Sequence, residues 1–202
     1  MKPSKTSLIA HRVNTIAELR KLPKHYGAEI DIRAWQNRLV LHHDPFQEGE
    51  SLEDYLAEYD HGLLVLNIKE TGIEDKVLKV VREHGIDDYF LLDVEFPYLY
   101  KASQRGEQAM AVRYSEAEGL DTVKHLKGLV DWTWIDVNTQ LPLDETSTEV
   151  LASFRNCLVS PDLWDRPEDI RIYRKRMKEV GFQPDAVVAK RGNLDAWSTL
   201  IS

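Results

Sequence analysis

Cysteine is nearly missing: Cys157 is the sole example in 202 residues. A lone thiol excludes an intrachain disulfide, and a chain of this length buries enough surface on folding to need neither a disulfide nor a structural metal for its core. Long apolar runs are missing too. None approaches the ~20 residues that cross a bilayer, and the basic start "MKPSKTSLIAHR" carries too short an apolar stretch for a signal peptide. A cytoplasmic protein without integral membrane contact is expected. Positive charge is in deficit, with 26 Lys and Arg against 34 Asp and Glu for a net charge of −8. Such a surface repels a phosphate backbone, so no nucleic-acid partner is expected, while a small anion that meets a few local cations remains open. No glycine-rich phosphate loop follows any predicted strand, which argues against an open, doubly wound nucleotide-binding sheet. Linkers and low-complexity tracts are absent as well, and a single domain over 1–202 is expected.

What is present is alternation. Short apolar or β-branched runs at 7–11, 27–32, 62–68, 89–94, 109–114, 130–137, 157–160 and 186–190 are separated by stretches of helical period. The predicted helices lie at 15–26, 51–60, 72–85, 96–106, 118–129, 147–156, 166–181 and 193–201. Ser51 with Asp54 three residues on resembles an N-cap box, Gly85 and Gly181 sit where helices should stop, and Pro167 suits a first turn. The segment "AWQNRLVLHHD" alternates about a polar Gln-Asn pair, so the second strand should run on into a hairpin. Eight strand-then-helix units without a compositional break predict an α/β fold, a compact (β/α)₈ TIM barrel in which right-handed crossovers put every helix outside.

In such a barrel the C-terminal strand ends open into the mouth where chemistry occurs. Here those ends carry His11 and Arg12, then Glu29 and Asp31 two apart on one strand face, then His42, His43 and Asp44 after the hairpin, then Asn67 and Lys69. Later ends add Asp93, Glu95, Arg113, Asp136, Asn138, Asp162, Lys190 and Arg191. Any one of these is what a strand end meeting water would carry. Together they suit phosphodiester chemistry: cations for phosphoryl oxygens, paired carboxylates for a hard divalent cation, and imidazoles to move protons.

The pairs His11-Arg12, Glu29-x-Asp31 and His43-Asp44, in that order within residues 8–45, resemble the HR, ExD and HD signature of the glycerophosphodiester phosphodiesterase family. Lys69 matches the Lys of that family's Glu-x-Lys on the third strand. The resemblance implies a (β/α)₈ barrel that hydrolyses a small-molecule phosphodiester with a divalent metal, Mg²⁺ or Ca²⁺. It implies His11 and His43 as the general acid and base, Glu29 and Asp31 as metal ligands completed by Asn67 or water, and Arg12 and Lys69 on the phosphoryl oxygens. Barrel layout adds Arg113 and Lys190 as phosphate candidates and Trp134 as a pocket wall, with Trp132 and Trp164 either walling the pocket or packing. Two departures stand out. Asn67 replaces the family's metal-binding Glu, and an amide oxygen ligates without supplying charge. "HRVN" is similar to the His-Met-Val-Asn of the related sphingomyelinase D enzymes, which cleave a phosphodiester by intramolecular attack.

Three readings follow: a hydrolase of a glycerophosphodiester-like substrate, a lyase-type cleavage giving a cyclic phosphate, or a barrel that holds a phosphorylated ligand without turning it over. Outside the pattern, Cys157 reads as a buried structural thiol, His42 as structural, and the basic stretch 171–178 as a solvated helix face.

Overall fold

The computed structural model describes residues 6–198. The basic start, 1–5, and the end of the last predicted helix, 199–201, lie outside the described residues. Eight parallel strands form the wall: β1 (Ser7–Ala10), β2 (Gly27–Trp35), β5 (Leu64–Ile68), β6 (Tyr89–Leu92), β7 (Ala111–Tyr114), β8 (Trp132–Ile135), β9 (Arg155–Val159) and β10 (Ala186–Ala189). Each pairs with its neighbour in parallel, and β10 pairs with β1, so the sheet closes. Closure leaves no edge and gives the expected barrel. The hairpin after β2 is also present. β2 continues to Trp35, turns at Gln36-Asn37, and returns antiparallel as β3 (Arg38–Leu41), which pairs in turn with the short β4 (Glu50–Ser51).

Strand period sorts the side chains into two cores. Ile9, Val65, Phe90, Trp132, Cys157 and Val188 point into the barrel, while Leu8, Ala10, Ile30, Leu66 and Leu91 point outward under the helices. Phe90 and Trp132 stack at 4.5 Å inside, so Trp132 is packing rather than pocket wall. Gly27 is required where it stands, because a Cβ there would lie 2.1 Å from the Leu63 carbonyl oxygen. That close approach lets β2 and β5 share five residue pairs, the longest parallel register among the described residues.

The helices on the outer face are α1 (Ile16–Leu19), α2 (Leu52–Ala57), α3 (Glu74–Glu83), α4 (Phe96–Gln104), α5 (Leu120–His125), α6 (Glu145–Leu151), α7 (Asp169–Glu179) and α8 (Asp195–Ser198). Ser51 caps α2 by accepting the Asp54 N–H, and Gly85 and Gly181 follow α3 and α7 in left-handed conformations, as expected. Several helix boundaries move. The first helix is one turn long, since Pro23 cannot continue it. The sixth begins earlier, at a reciprocal Asp144–Ser147 cap, and ends earlier, where Asn156 donates to the Leu151 and Phe154 carbonyls and joins β9. Pro167 lies in the turn before α7 rather than in its first turn.

Candidate active site

The C-terminal ends of the strands converge on a cavity of about 340 Å³ lined by His11, Arg12, Glu29, Asn67, Lys69 and, across from them, Asp93, Arg113, Trp134, Asp136 and Trp164. Two rims use an uncommon backbone. Arg12, just past β1, and Asp93, just past β6, have φ of 53° and 56°, a left-handed conformation that costs non-glycine residues about 1–3 kcal/mol and persists where the surroundings impose it. At Arg12 the gain is visible, since its turned N–H donates to Glu29 Oε2 at 2.7 Å.

Glu29 and Asp31 both face inward from β2 and are fully buried. Asn67, paired with Asp31 across β2 and β5, donates its amide N–H to Glu29 Oε1 at 2.8 Å. Asn14 clamps Asp31 at two points: its Nδ2 donates to Asp31 Oδ2 at 2.8 Å and its Oδ1 accepts the Asp31 backbone N–H at 2.8 Å. Both polar atoms of the Asn14 amide are therefore committed to Asp31. Arg12 Nε stands 3.8 Å from Asp31 Oδ2, and Lys69 Nζ 3.6 Å from Asp31 Oδ1. Two acceptors are left over. Asp31 Oδ1 and Asn67 Oδ1 are buried without a hydrogen bond, although such atoms are ordinarily satisfied. Burial and the Asp31 charge push the Glu29 carboxyl up to about 7. His11, 3.9 Å from Glu29 through Nε2, is held down to about 4 by burial and by Arg12, and is a neutral imidazole at neutral pH.

The other histidine arrives on the hairpin. The ring Nδ1 of His43 meets Asp44 Oδ1 at 2.8 Å, leaving Nε2 without a hydrogen bond. Arg33 fixes the backbone behind it, donating to the His43 carbonyl through Nε and Nη2 at 3.0 and 2.8 Å and to the Lys69 carbonyl through Nη1 at 2.7 Å. His43 is not among the residues lining the cavity. His42 is turned to its own hairpin, accepting the Asp44 N–H at 3.0 Å.

Across the mouth the polar groups are saturated. Arg113 bonds Asp93 at 2.8 Å, Glu118 at 2.9 Å and Asp136 at 2.7 Å. Asp136 also accepts the Trp164 indole N–H at 2.9 Å, and Lys69 donates to Asp93 at 3.2 Å. Trp134 forms the wall below. Lys190 is a different matter: its ammonium bonds Asp165 at 2.6 Å, and it does not line the cavity. Only its backbone N–H faces inward, to Asp162 Oδ2 at 3.0 Å. The phosphate role expected for the Lys190 side chain has no support in this arrangement. Asp93 and Asp136 enter the site without having been given a role in it from sequence, though both were legible as strand-end carboxylates. Trp164, left open between pocket wall and packing, is carried in by the 3₁₀ turn Pro161–Trp164 after β9.

Among the described residues no three His, Cys, Asp or Glu side chains form a metal-ligand cluster. The candidate ligand set is two carboxylates and an amide. Cys157 sits deep in the barrel, where burial raises its thiol pKa, and takes no part. No described helix is long and apolar enough to cross a membrane.

No family model and no curated protein matches the chain. Solved structures do. A glycerophosphodiester phosphodiesterase from Agrobacterium tumefaciens superposes over 95% of this chain and 99% of its own with a TM-score of 0.66 at 16% identity. A phosphodiesterase from Oleispira antarctica, in complex with its product sn-glycerol-3-phosphate, covers 95% and 96% with a TM-score of 0.63 at 16% identity. The α subunit of tryptophan synthase from Campylobacter jejuni is similar at a lower TM-score, 0.54, over 94% of this chain and 88% of its own, at 15% identity. At these identities the likeness is one of fold, and the higher scores go with the phosphodiesterases. The chain has the closed (β/α)₈ barrel that glycerophosphodiester phosphodiesterases share.

Proposed function

We propose that this protein is a metal-dependent phosphodiesterase that hydrolyses a small, glycerophosphodiester-like substrate in the barrel mouth. The observation that carries the reading is the meeting of His11, Arg12 and Lys69 with two buried carboxylates, Glu29 and Asp31, on adjacent strand ends. Glu29, Asp31 and Asn67 would hold the divalent cation, Mg²⁺ or Ca²⁺. They fit it because Asp31 Oδ1 and Asn67 Oδ1 are buried oxygens without a hydrogen-bond donor, and because two carboxylates buried side by side call for added positive charge. When bound, the cation polarises the phosphoryl group and offsets the charge that builds on it in the transition state.

The chain's own groups do the rest. Arg12 and Lys69 bind the non-bridging oxygens, the guanidinium as a planar fork and the ammonium as a point charge. His11, neutral at neutral pH, takes the proton of the attacking water. His43, held on the hairpin outside the cavity lining and oriented through Nδ1 by Asp44, would protonate a leaving alkoxide that extends from the mouth toward the hairpin, using Nε2. A hydrolytic outcome is favoured over a cyclising one because Asn14, the residue of "HRVN" that suggested intramolecular attack, spends its amide on Asp31.

The test is alcohol release from a panel of phosphodiesters with Mg²⁺, Ca²⁺ or Mn²⁺, read by phosphorus NMR. Linear monoester from the first time point is expected. A cyclic phosphate would assign the lyase reaction instead. Turnover unchanged in both His11→Ala and His43→Ala would overturn the proposal, and metal binding with no turnover of any diester would leave a binding barrel.

A further inference from the structure

Around the barrel, neighbouring strands share between two and five residue pairs, except at one joint. Between β6 and β7 the pairing is one bridge, Leu91 with Met110. Above that bridge lies a second cavity, of about 330 Å³, which Asp93 and Arg113 line together with the mouth. Its other walls are mainly apolar, Val94, Phe96, Leu99, Ala111 and Val112, with Glu118 and Thr122 adding polar groups. Ala111 comes from the inward face of β7, Val112 from the outward face, and Leu99 from α4 outside the barrel. Lined from both faces of β7 beside the open joint, this cavity is a side passage adjoining the mouth, with the bonded Asp93–Arg113 pair, 2.8 Å apart, at the boundary between the two. At its outer end stand Phe96 and Tyr100, 55% and 53% exposed and stacked at 6.4 Å.

Resting on the phosphodiesterase reading, we infer that this passage is a subsite for an apolar substituent, so that the substrate is amphiphilic: a phosphodiester whose alcohol carries an alkyl or acyl chain. The phosphodiester occupies the polar mouth, and the chain leaves sideways past Arg113 and lies between Val112 and Leu99. The mouth and the passage, near 340 and 330 Å³, each match the smaller end of ligand pockets, at roughly 300 Å³. The apolar walls, Leu99, Ala111 and Val112 among them, reward burial of methylenes.

Gly119, at the start of α5, lines the passage, and a Cβ added there meets nothing within 4 Å. Gly119→Phe and Gly119→Leu thus add a large and a smaller bulk at this wall without a clash, as candidate plugs, with the melting temperature checking that each folds. The probes are n-alkyl phosphates from butyl to octyl, titrated calorimetrically with Mg²⁺ present, so that the readout is binding rather than turnover. Affinity should rise about three- to fourfold per methylene in the native chain and flatten in the plugged variants. A flat series in the native chain, or an undiminished rise in both plugged variants, overturns the subsite and leaves the phosphodiesterase reading standing. No binding at any chain length overturns both.

Discussion

On the β1–β2–β5 side of the mouth, Asp31 and Asn67 each keep a buried oxygen without a hydrogen bond. On the β6–β7–β8 side, Arg113 closes onto three carboxylates and Trp164 takes up Asp136. Both sides are charged, yet of these groups only Asp31 and Asn67 have unmet capacity. An unsatisfied buried acceptor costs about 1–3 kcal/mol, and such a site persists where a ligand will take it up. A saturated network spends its charges on one another and fixes shape.

That contrast can be broken from either side, and the chemical side should break hardest. His11→Ala and Glu29→Gln are expected to lower turnover by roughly 10²–10⁴-fold with little change in melting temperature, as the loss of a proton-transfer group or a ligand does. Steady-state assay beside thermal melting checks it. Asn14→Ala frees Asp31 without removing any proposed ligand, and should cost about 10–100-fold in metal affinity, read by calorimetry. Asn67→Glu works in the opposite direction. A third carboxylate should tighten divalent-cation binding by on the order of tenfold, and an unchanged affinity would place the cation elsewhere.

The saturated side should answer in stability instead. Arg113→Met takes from Asp93, Glu118 and Asp136 the cation they share, leaving Asp93 to Lys69 and Asp136 to Trp164, and chemical denaturation should register a loss of about 1–3 kcal/mol. The effect is held to that range because the guanidinium is partly exposed. Smallest of all is Lys190→Ala. Its exposed pair with Asp165 is worth under about 1 kcal/mol, and turnover should stay within twofold.

The strands were legible in the sequence because a barrel wall buried on both faces reads as short apolar runs, and the site residues because charge at the ends of such runs is conspicuous. The hairpin was legible from its alternation about Gln36-Asn37. What the sequence hides is partnership. Asn14 reads as a motif letter for intramolecular attack, and only the fold turns it onto Asp31. Lys190 stands at a strand end as expected, but a single outward turn gives its ammonium to Asp165. The open joint between β6 and β7 is invisible in composition, since it depends on which backbone pairs fail to form. Helix ends moved where a side chain, Pro23 or Asn156, decided locally against the periodic pattern.

Arg33 joins the hairpin to the barrel wall. One guanidinium holds the carbonyls of both His43 and Lys69, so a histidine that chain position assigns to a loop has the station of a strand residue. Segment 45–49, beyond the Asp44 that orients the ring, is thereby decoupled from the His43 imidazole. Lengthening or exchanging that segment to suit another substrate is a graft that leaves the imidazole at its post, and Arg33 is the graft's fixed margin.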